Sequence, residues 1–290
     1  MRIERVGDAR YELGECPIWD VQEQALWFTD FNAGTIIRHE PVSGERTHWH
    51  VACGWLGSMA LREGGGAILV MDDGFHSFDF ETETATPIVE PEAGENALSF
   101  NDCKVDRRGR LIAGSMHRDC EETIGSLCRL DPDLSCKLLD GDFICANGPC
   151  WSPDNTVLYV ADSYACEIHA YDYDVETGDV CNRRLIVTTS GDDGVPDGLT
   201  VDAEGYLWNA RFGGGVVVRM SPDGKTDRVI EMPVGWVTSL TFGGPDHDIL
   251  YVTTSGGEWD GARDTSEHAG CLFAIHDLGV QGLPERRFAG

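Results

Sequence analysis

Basic residues are scarce. The chain carries 22 Lys and Arg against 50 Asp and Glu, for a net charge of −28, and its only lysines are Lys104, Lys137 and Lys225. Such a surface repels a phosphate backbone and an anionic bilayer, which argues against nucleic acid and membranes as partners and leaves a neutral or cationic ligand. The lysine shortage fits a salt-adapted surface and a compositional bias of the genome equally, and neither bears on chemistry. Long apolar runs are missing too. No window approaches the ~18 residues of a membrane span, and the start M-R-I-E-R-V-G-D-A-R lacks the apolar segment of a secretory signal. Eleven cysteines, an odd number spread from Cys16 to Cys271, contain no C-x-x-C pair. A chain of 290 residues builds a core without staples, so the cysteines read as reduced thiols and the expected location is cytoplasmic. A G-x-S elbow is absent. Gly213-Gly214-Gly215 is followed by neither a helix nor a Lys, so it reads as a tight hairpin and not as a phosphate cradle.

What is present is turn-rich and globular, with 41% hydrophobic residues, 35 Gly and 12 Pro. Short apolar triplets recur at Leu26-Trp27-Phe28, Ile68-Leu69-Val70, Leu111-Ile112-Ala113, Leu158-Tyr159-Val160, Leu207-Trp208-Asn209 and Leu250-Tyr251-Val252, at spacings of 42, 43, 47, 49 and 43. Most are followed by a polar break and a second alternating run that ends in an Asp/Pro/Gly turn, such as S-L-C-R-L-D-P-D. Another strand precedes each triplet. Alternation of period two between closely spaced turns means antiparallel strands. Six units of this length, each with room for four strands, predict an all-β fold, a six-bladed β-propeller filling residues 1–290 as one domain. Arg2 to Val6 and Arg286 to Ala289 are expected to supply outer strands that close the ring.

Aligned on their first strands, the units place Glu15, Gly57, Asn101, Asn147, Asp197 and Thr238 at one phase, each followed four residues later by an apolar residue. First strands line a propeller's channel, so one phase becomes one ring around the axis. Asn and Asp near Gly or Pro are ordinarily turn formers, but turn formation does not account for four of them in register. Carboxylates converging in this way repel unless protonated or bridged by a cation, and an all-oxygen set suits a hard divalent ion: Ca²⁺ first, with Mn²⁺, Mg²⁺, Zn²⁺ or Fe²⁺ as alternatives. Weaker candidates fall away. His48-Trp49-His50 lies on an outer-strand phase and reads as a solvated pair. Cys16, Cys103 and Cys150 neighbour the ring, but alternation turns them from the axis.

Four motifs in order, L-G-E-C-P-I-W-D at 13–20, F-N-D-C-K-V-D at 100–106, A-N-G-P-C-W-S-P-D at 146–154 and P-D-G-L-T-V-D-A-E-G-Y-L-W at 196–208, resemble the gluconolactonase, regucalcin (senescence marker protein) and luciferin-regenerating enzyme family. The resemblance implies a six-bladed propeller that holds one divalent cation and hydrolyses lactones, commonly sugar lactones. By motif, Glu15, Asn147 and Asp197 match the family's metal ligands, Asn101 an asparagine near metal and substrate, and Asp197 also the proposed general base. Ser99 stands where many family lactonases have a substrate-contacting Arg, and the segment after Val234-Gly235-Trp236 lacks an asparagine often seen there. A substrate-contacting Glu of the family corresponds to Glu121 or Glu122. The expected activity is cation-dependent opening of a small neutral sugar (aldono) lactone to the aldonic acid, by a monomer or weak homo-oligomer. Three alternatives are a calcium-binding regulatory protein, a lactonase or esterase with a non-sugar substrate, and a scaffold propeller that binds protein partners on its face.

Overall fold

Each sequence repeat folds into a four-stranded antiparallel sheet, with the apolar triplet in its second strand. The computed structural model describes residues 1–290, the side chain of Asp192 excepted. The first strands of the six sheets are Gly14–Asp20, Leu56–Leu61, Leu98–Val105, Ala146–Trp151, Val195–Val201 and Val237–Gly243. These strands pack on one another in turn, and the sixth packs on the first. The molecule is therefore the expected all-β, six-bladed β-propeller. Alternating side chains from facing sheets fill six apolar clusters, one between each pair of neighbouring blades, including blades six and one. Leu26, Phe28, Ile68, Val70 and Trp208 are fully buried there, and each aliphatic or Phe side chain so placed contributes about 1.5–3 kcal/mol by leaving water. Among the described residues no helix is long and apolar enough to cross a membrane.

The two chain ends differ from each other. Arg2–Arg5 is the outermost strand of blade six, antiparallel to Phe273–His276 with Arg2 opposite His276 and Arg5 opposite Phe273. The ring is thus closed by pairing the N-terminal strand with the C-terminal blade, as the sequence leads one to expect. Arg286 to Ala289 form no outer strand, contrary to expectation. Residues 281–289 instead cross the end of the channel opposite the ring of Glu15 and Asp197. Along this path Gly282 N–H donates to His247 O at 2.8 Å, Glu285 pairs with Lys104 at 3.1 Å, and Phe288 N–H donates to Leu61 O at 2.8 Å. Phe288 is fully buried between blades two and three, and Arg287 reaches Asp20 of blade one at 2.7 Å. The reason is sequence-local: Phe288 supplies an apolar anchor for an inter-blade cluster, and no alternating run exists to add to a sheet edge.

Turns at the channel's closed end carry buried ion pairs. Asp202, five residues after Asp197, accepts the backbone N–H of Glu204 and Tyr206, Trp208 Nε1–H at 2.8 Å and Arg219 Nε–H at 2.8 Å. Asp106 occupies the same phase in blade three and binds Arg110 and Tyr173 in the same manner.

Gly57, the ring position of blade two, is small for a reason of packing. A Cβ there would lie 2.5 Å from Asn101 O and 2.9 Å from Phe100 O. Gly57→Ala should therefore cost about 1–3 kcal/mol by overpacking, read as a lowered midpoint in thermal denaturation, and it should also impair activity by displacing Asn101. A variant as stable and active as the parent would refute this close approach.

Candidate functional site

In every blade the first strand bulges at the ring phase. The register against the second strand slips between Glu15 and Ile18, Leu56 and Ser58, Phe100 and Cys103, Asn147 and Cys150, Pro196 and Leu199, and Val237 and Leu240. A bulge inserts an unpaired residue and re-aims the side chains beside it. Here it turns Glu15, Asn101, Asn147 and Asp197 toward one mouth of the channel, where they line the floor of a single cavity. The backbone conformations are specific. Cys16 adopts φ +46° and Gly148 φ +53°, and a Cβ on Gly148 would lie 2.4 Å from Leu199 N. The approach loops are clamped as well: Asp30 accepts the backbone N–H groups of Glu12 and Leu13, Asp162 those of Ile144 and Cys145, and Asp264 those of Gly235 and Trp236.

The four floor residues are only 6–8% exposed. Asn147 Nδ2–H donates to Asp197 Oδ1 at 2.6 Å and to Ser163 Oγ at 3.2 Å. Gly148 N–H divides between Asn147 Oδ1 at 3.1 Å and Asp102 Oδ2 at 3.0 Å. Asn101 Nδ2 is committed to Ala146 O at 3.1 Å and Cys145 Sγ at 3.6 Å, which turns the amide oxygen into the free group for a ligand. Of the remaining ring positions, Thr238 ties the first blade to the last by donating to Gly14 O at 2.5 Å.

Charge decides what this floor can hold. Burial, with the like charges of Asp197 and Asp102 added, pushes the Glu15 carboxyl well above the usual carboxylate range. Burial and the Asp102 charge do the same to Asp197, against the opposing hydrogen bond from Asn147. Among the described residues no Lys or Arg lines the cavity. Burial raises the Asp102 carboxyl as well, against the charge of Lys104, which is itself engaged by Glu285. Buried carboxylates without a basic partner need protons or a cation. Among the described residues no three His, Cys, Asp or Glu side chains are placed to hold one metal ion together; the set facing the cavity is two carboxylates and two amides. An all-oxygen set of this kind fits a hard divalent cation with positions left for water.

The cavity is open at its mouth, and about 430 Å³ of empty space, part of it open to solvent, lies above the floor. Its walls include Phe31, Met116, Tyr164, Phe212 and Trp259. Residues 13–256 of the chain match the SMP-30/gluconolactonase/LRE-like region. The chain belongs to this family. It is 35% identical to the regucalcin of Xenopus laevis over 297 residues, covering 100% of this chain and 99% of that protein. To the 6-deoxy-6-sulfogluconolactonase of Pseudomonas putida it is 35% identical over 281 residues, 96% of this chain and 95% of the relative. A luciferin-regenerating enzyme structure superimposes with a TM-score of 0.91 at 28% identity, covering 100% of this chain and 99% of the other. The regucalcin from Agrobacterium tumefaciens, described as a calcium-binding protein, also gives 0.91 at 26% identity, over 99% of this chain and 97% of that one.

Within this gluconolactonase-like scaffold the other sequence candidates lie apart from the floor. Ser99 is buried, its hydroxyl turned to Phe100 O at 3.2 Å. Glu121 and Glu122 are exposed and absent from the cavity lining. Trp55 packs on Phe31 and Trp259 at the rim beneath the Arg118 guanidinium. Cys16 and Cys103 both donate to Met59 O between the blades; the neighbouring Cys103 thiol and burial push the Cys16 thiol well up, which keeps it protonated. His48 and His50 are exposed on an outer strand, and Gly213 to Gly215 form the turn between Leu207–Phe212 and Val216–Met220. Sequence reasoning passed over Asp102, whose signal is its place next to Asn101 in F-N-D, and Phe31, Tyr164 and Trp259, which stand outside the blades' four strands and carry no periodic signal; Trp259 lies in a two-residue strand, Glu258–Trp259, paired with Ala262–Arg263.

Proposed function

We propose that the protein is a divalent-cation-dependent lactonase that opens a neutral sugar (aldono) lactone to its aldonic acid. The observation that carries this reading is the pair of buried carboxylates, Glu15 and Asp197, at the floor of an open cavity with no basic side chain in its lining. Glu15, Asn147 and Asp197 would hold the cation, Ca²⁺ foremost. When bound, it supplies a Lewis acid that polarises the lactone carbonyl and steadies the oxyanion. Asp197, kept in the ionised form, takes the proton from the attacking water. Asn147 fixes Asp197 by its hydrogen bond and is itself fixed by Gly148 and Ser163. Asn101 accepts from a ring hydroxyl through Oδ1, since its nitrogen is spent on Ala146. The C-terminal segment shuts the opposite end of the channel, so water and substrate share the ring-side mouth.

The relatives support the lactonase reading through a sulfogluconolactonase and favour calcium through the regucalcins. A purely regulatory calcium role needs no cavity above the ion, and the cavity weighs against it. The test is acid release from gluconic, arabinonic, xylonic, galactonic and rhamnonic lactones, each with Ca²⁺, Mn²⁺, Mg²⁺, Zn²⁺ and Fe²⁺. At least one pairing should turn over at kcat/KM within the ordinary enzymatic range, about 10⁴ M⁻¹s⁻¹ or more. Stoichiometric calcium binding with no turnover on any lactone would sustain the regulatory reading instead.

A further inference from the structure

Most side-chain hydrogen-bond donors around the cavity are committed within the protein. Asn101 Nδ2 gives its protons to Ala146 O and Cys145 Sγ, and Asn147 Nδ2 to Asp197 Oδ1 and Ser163 Oγ. The Cys145 thiol donates to Met116 Sδ at 3.6 Å, and Trp259 Nε1–H to Tyr164 OH at 2.5 Å. The rest of the wall, Leu13, Phe31, Val195 and Phe212, has no polar side-chain atom. Among the described lining residues, two hydroxyls keep a free proton. Ser163 Oγ accepts from Asn147 beside the floor, and Tyr164 OH accepts from Trp259; neither donates to the protein.

The Tyr164 hydroxyl is held in place from behind. Tyr164 follows the blade-four strand Val157–Asp162 by two residues, and Trp259 stands in the small hairpin of blade six, so their hydrogen bond joins blades that are not neighbours in the ring. Phe31 and Trp55 brace the indole, at 6.4 and 6.3 Å between ring centroids. A hydroxyl oxygen that accepts a hydrogen bond becomes a stronger donor through its own O–H. Burial pushes the Tyr164 phenol well above its ordinary value, so at neutral pH the proton is in place. Cys120, outside the lining, neighbours the same hydroxyl, but a thiol is a weak acceptor that a sugar oxygen displaces.

A sugar lactone has a use for such a donor. Its carbonyl and ring oxygens only accept, and each hydroxyl brings two lone pairs with its one proton. The floor, through Glu15, Asp197 and Asn101 Oδ1, answers protons and leaves lone pairs unanswered. On the lactonase reading the carbonyl lies toward the floor, and the hydroxyl-bearing part of the ring then extends toward the mouth. Tyr164 stands on that side, 37% exposed where the floor residues are 6–8% exposed. We infer that Tyr164 binds substrate, its O–H donating to a hydroxyl oxygen of the sugar lactone on the side away from the floor. This rests on the lactonase reading and adds the residue that tells a hydroxylated lactone from a bare one.

The experiment compares Tyr164→Phe with the parent, both cation-loaded, on the aldonolactone that the parent opens fastest and on δ-valerolactone, which has the ring ester and no hydroxyl. The variant should lose about three- to tenfold in kcat/KM on the aldonolactone, the effect of one neutral hydrogen bond, chiefly through KM, and stay within about 1.5-fold on δ-valerolactone. Its Mn²⁺ affinity and melting temperature should match the parent's. Cys120→Ala, which removes the competing sulfur, should keep the parent's values on both lactones. Where the parent opens no δ-valerolactone, the aldonolactone decides alone: raised KM at retained kcat is expected, and lowered kcat at unchanged KM would overturn the inference. Equal losses on the two lactones, no loss on either, or the same aldonolactone loss in Cys120→Ala would also overturn it and leave the lactonase reading standing. Failure of the parent to open any aldonolactone, under any cation, would remove both.

Discussion

Asp197→Asn should lower kcat/KM for lactone hydrolysis by about a thousandfold, the scale of a lost general base. The same substitution should leave the fold intact and raise the melting temperature of the metal-stripped protein. Asp197 is buried beside Asp102, and its carboxyl is pushed well above the ordinary range. At neutral pH its ionised form therefore works against the folded state, and an amide of the same shape removes that cost. The two readouts move in opposite directions, which separates a functional carboxylate from a structural one. Most of the activity surviving at saturating cation would remove Asp197 from the base role. A melting temperature that fell with the activity would mean that the residue serves the fold.

Asp202→Ala should act in the reverse sense, with a large loss of stability and little direct effect on chemistry. The Asp202 carboxylate is wholly inaccessible and the Arg219 side chain only 5% exposed. Removing the acid strands two backbone donors, the Trp208 indole N–H and one face of the guanidinium. Breaking a buried pair from one side costs about 3–5 kcal/mol, which corresponds to a drop of roughly 10 °C for a protein of this size. Glu204 and Asp227 also contact Arg219, at 2.6 and 2.9 Å, and they hold the loss toward the lower end. Asp133→Ala, on an exposed turn, is the control and should stay within about 0.5 kcal/mol of the parent.

The contrast between Asp197 and Asp202, five residues apart on one blade, shows what the sequence discloses. Both sit in a recurring phase of the repeat. The phase of Asp197, shared with Glu15, Asn101 and Asn147, lines the cavity floor, and that of Asp202, shared with Asp106, caps turns at the closed end. The period near forty-five residues and the alternation within each unit make the blades and the ring legible, because a propeller repeats its geometry as often as its sequence. The bulge at each ring position is not legible. Alternation assigns Asp102 to the face opposite Asn101, yet the slipped register between Phe100 and Cys103 brings its carboxylate to Gly148 and into the field of Glu15 and Asp197. Nor does periodicity reach the cavity wall. Phe31, Tyr164 and Trp259 follow the ends of blade strands by one, two and five residues, in connections free to differ from blade to blade, Trp259 in a small hairpin of its own. The path of Arg286 to Ala289 depends on where Phe288 finds an apolar cleft, which is a property of the assembled ring.

A requirement of lactone opening for one cation, which Glu15, Asn147 and Asp197 would hold, is tested most directly by titrating metal-stripped protein with Mn²⁺ while following free Mn²⁺ by electron paramagnetic resonance and acid release from an aldonolactone in the same sample. The rate should climb in proportion to the first equivalent bound and then level, and Glu15→Gln should lose both the tight binding and the rate. Full activity in the stripped protein, or unchanged tight binding in Glu15→Gln, would contradict it.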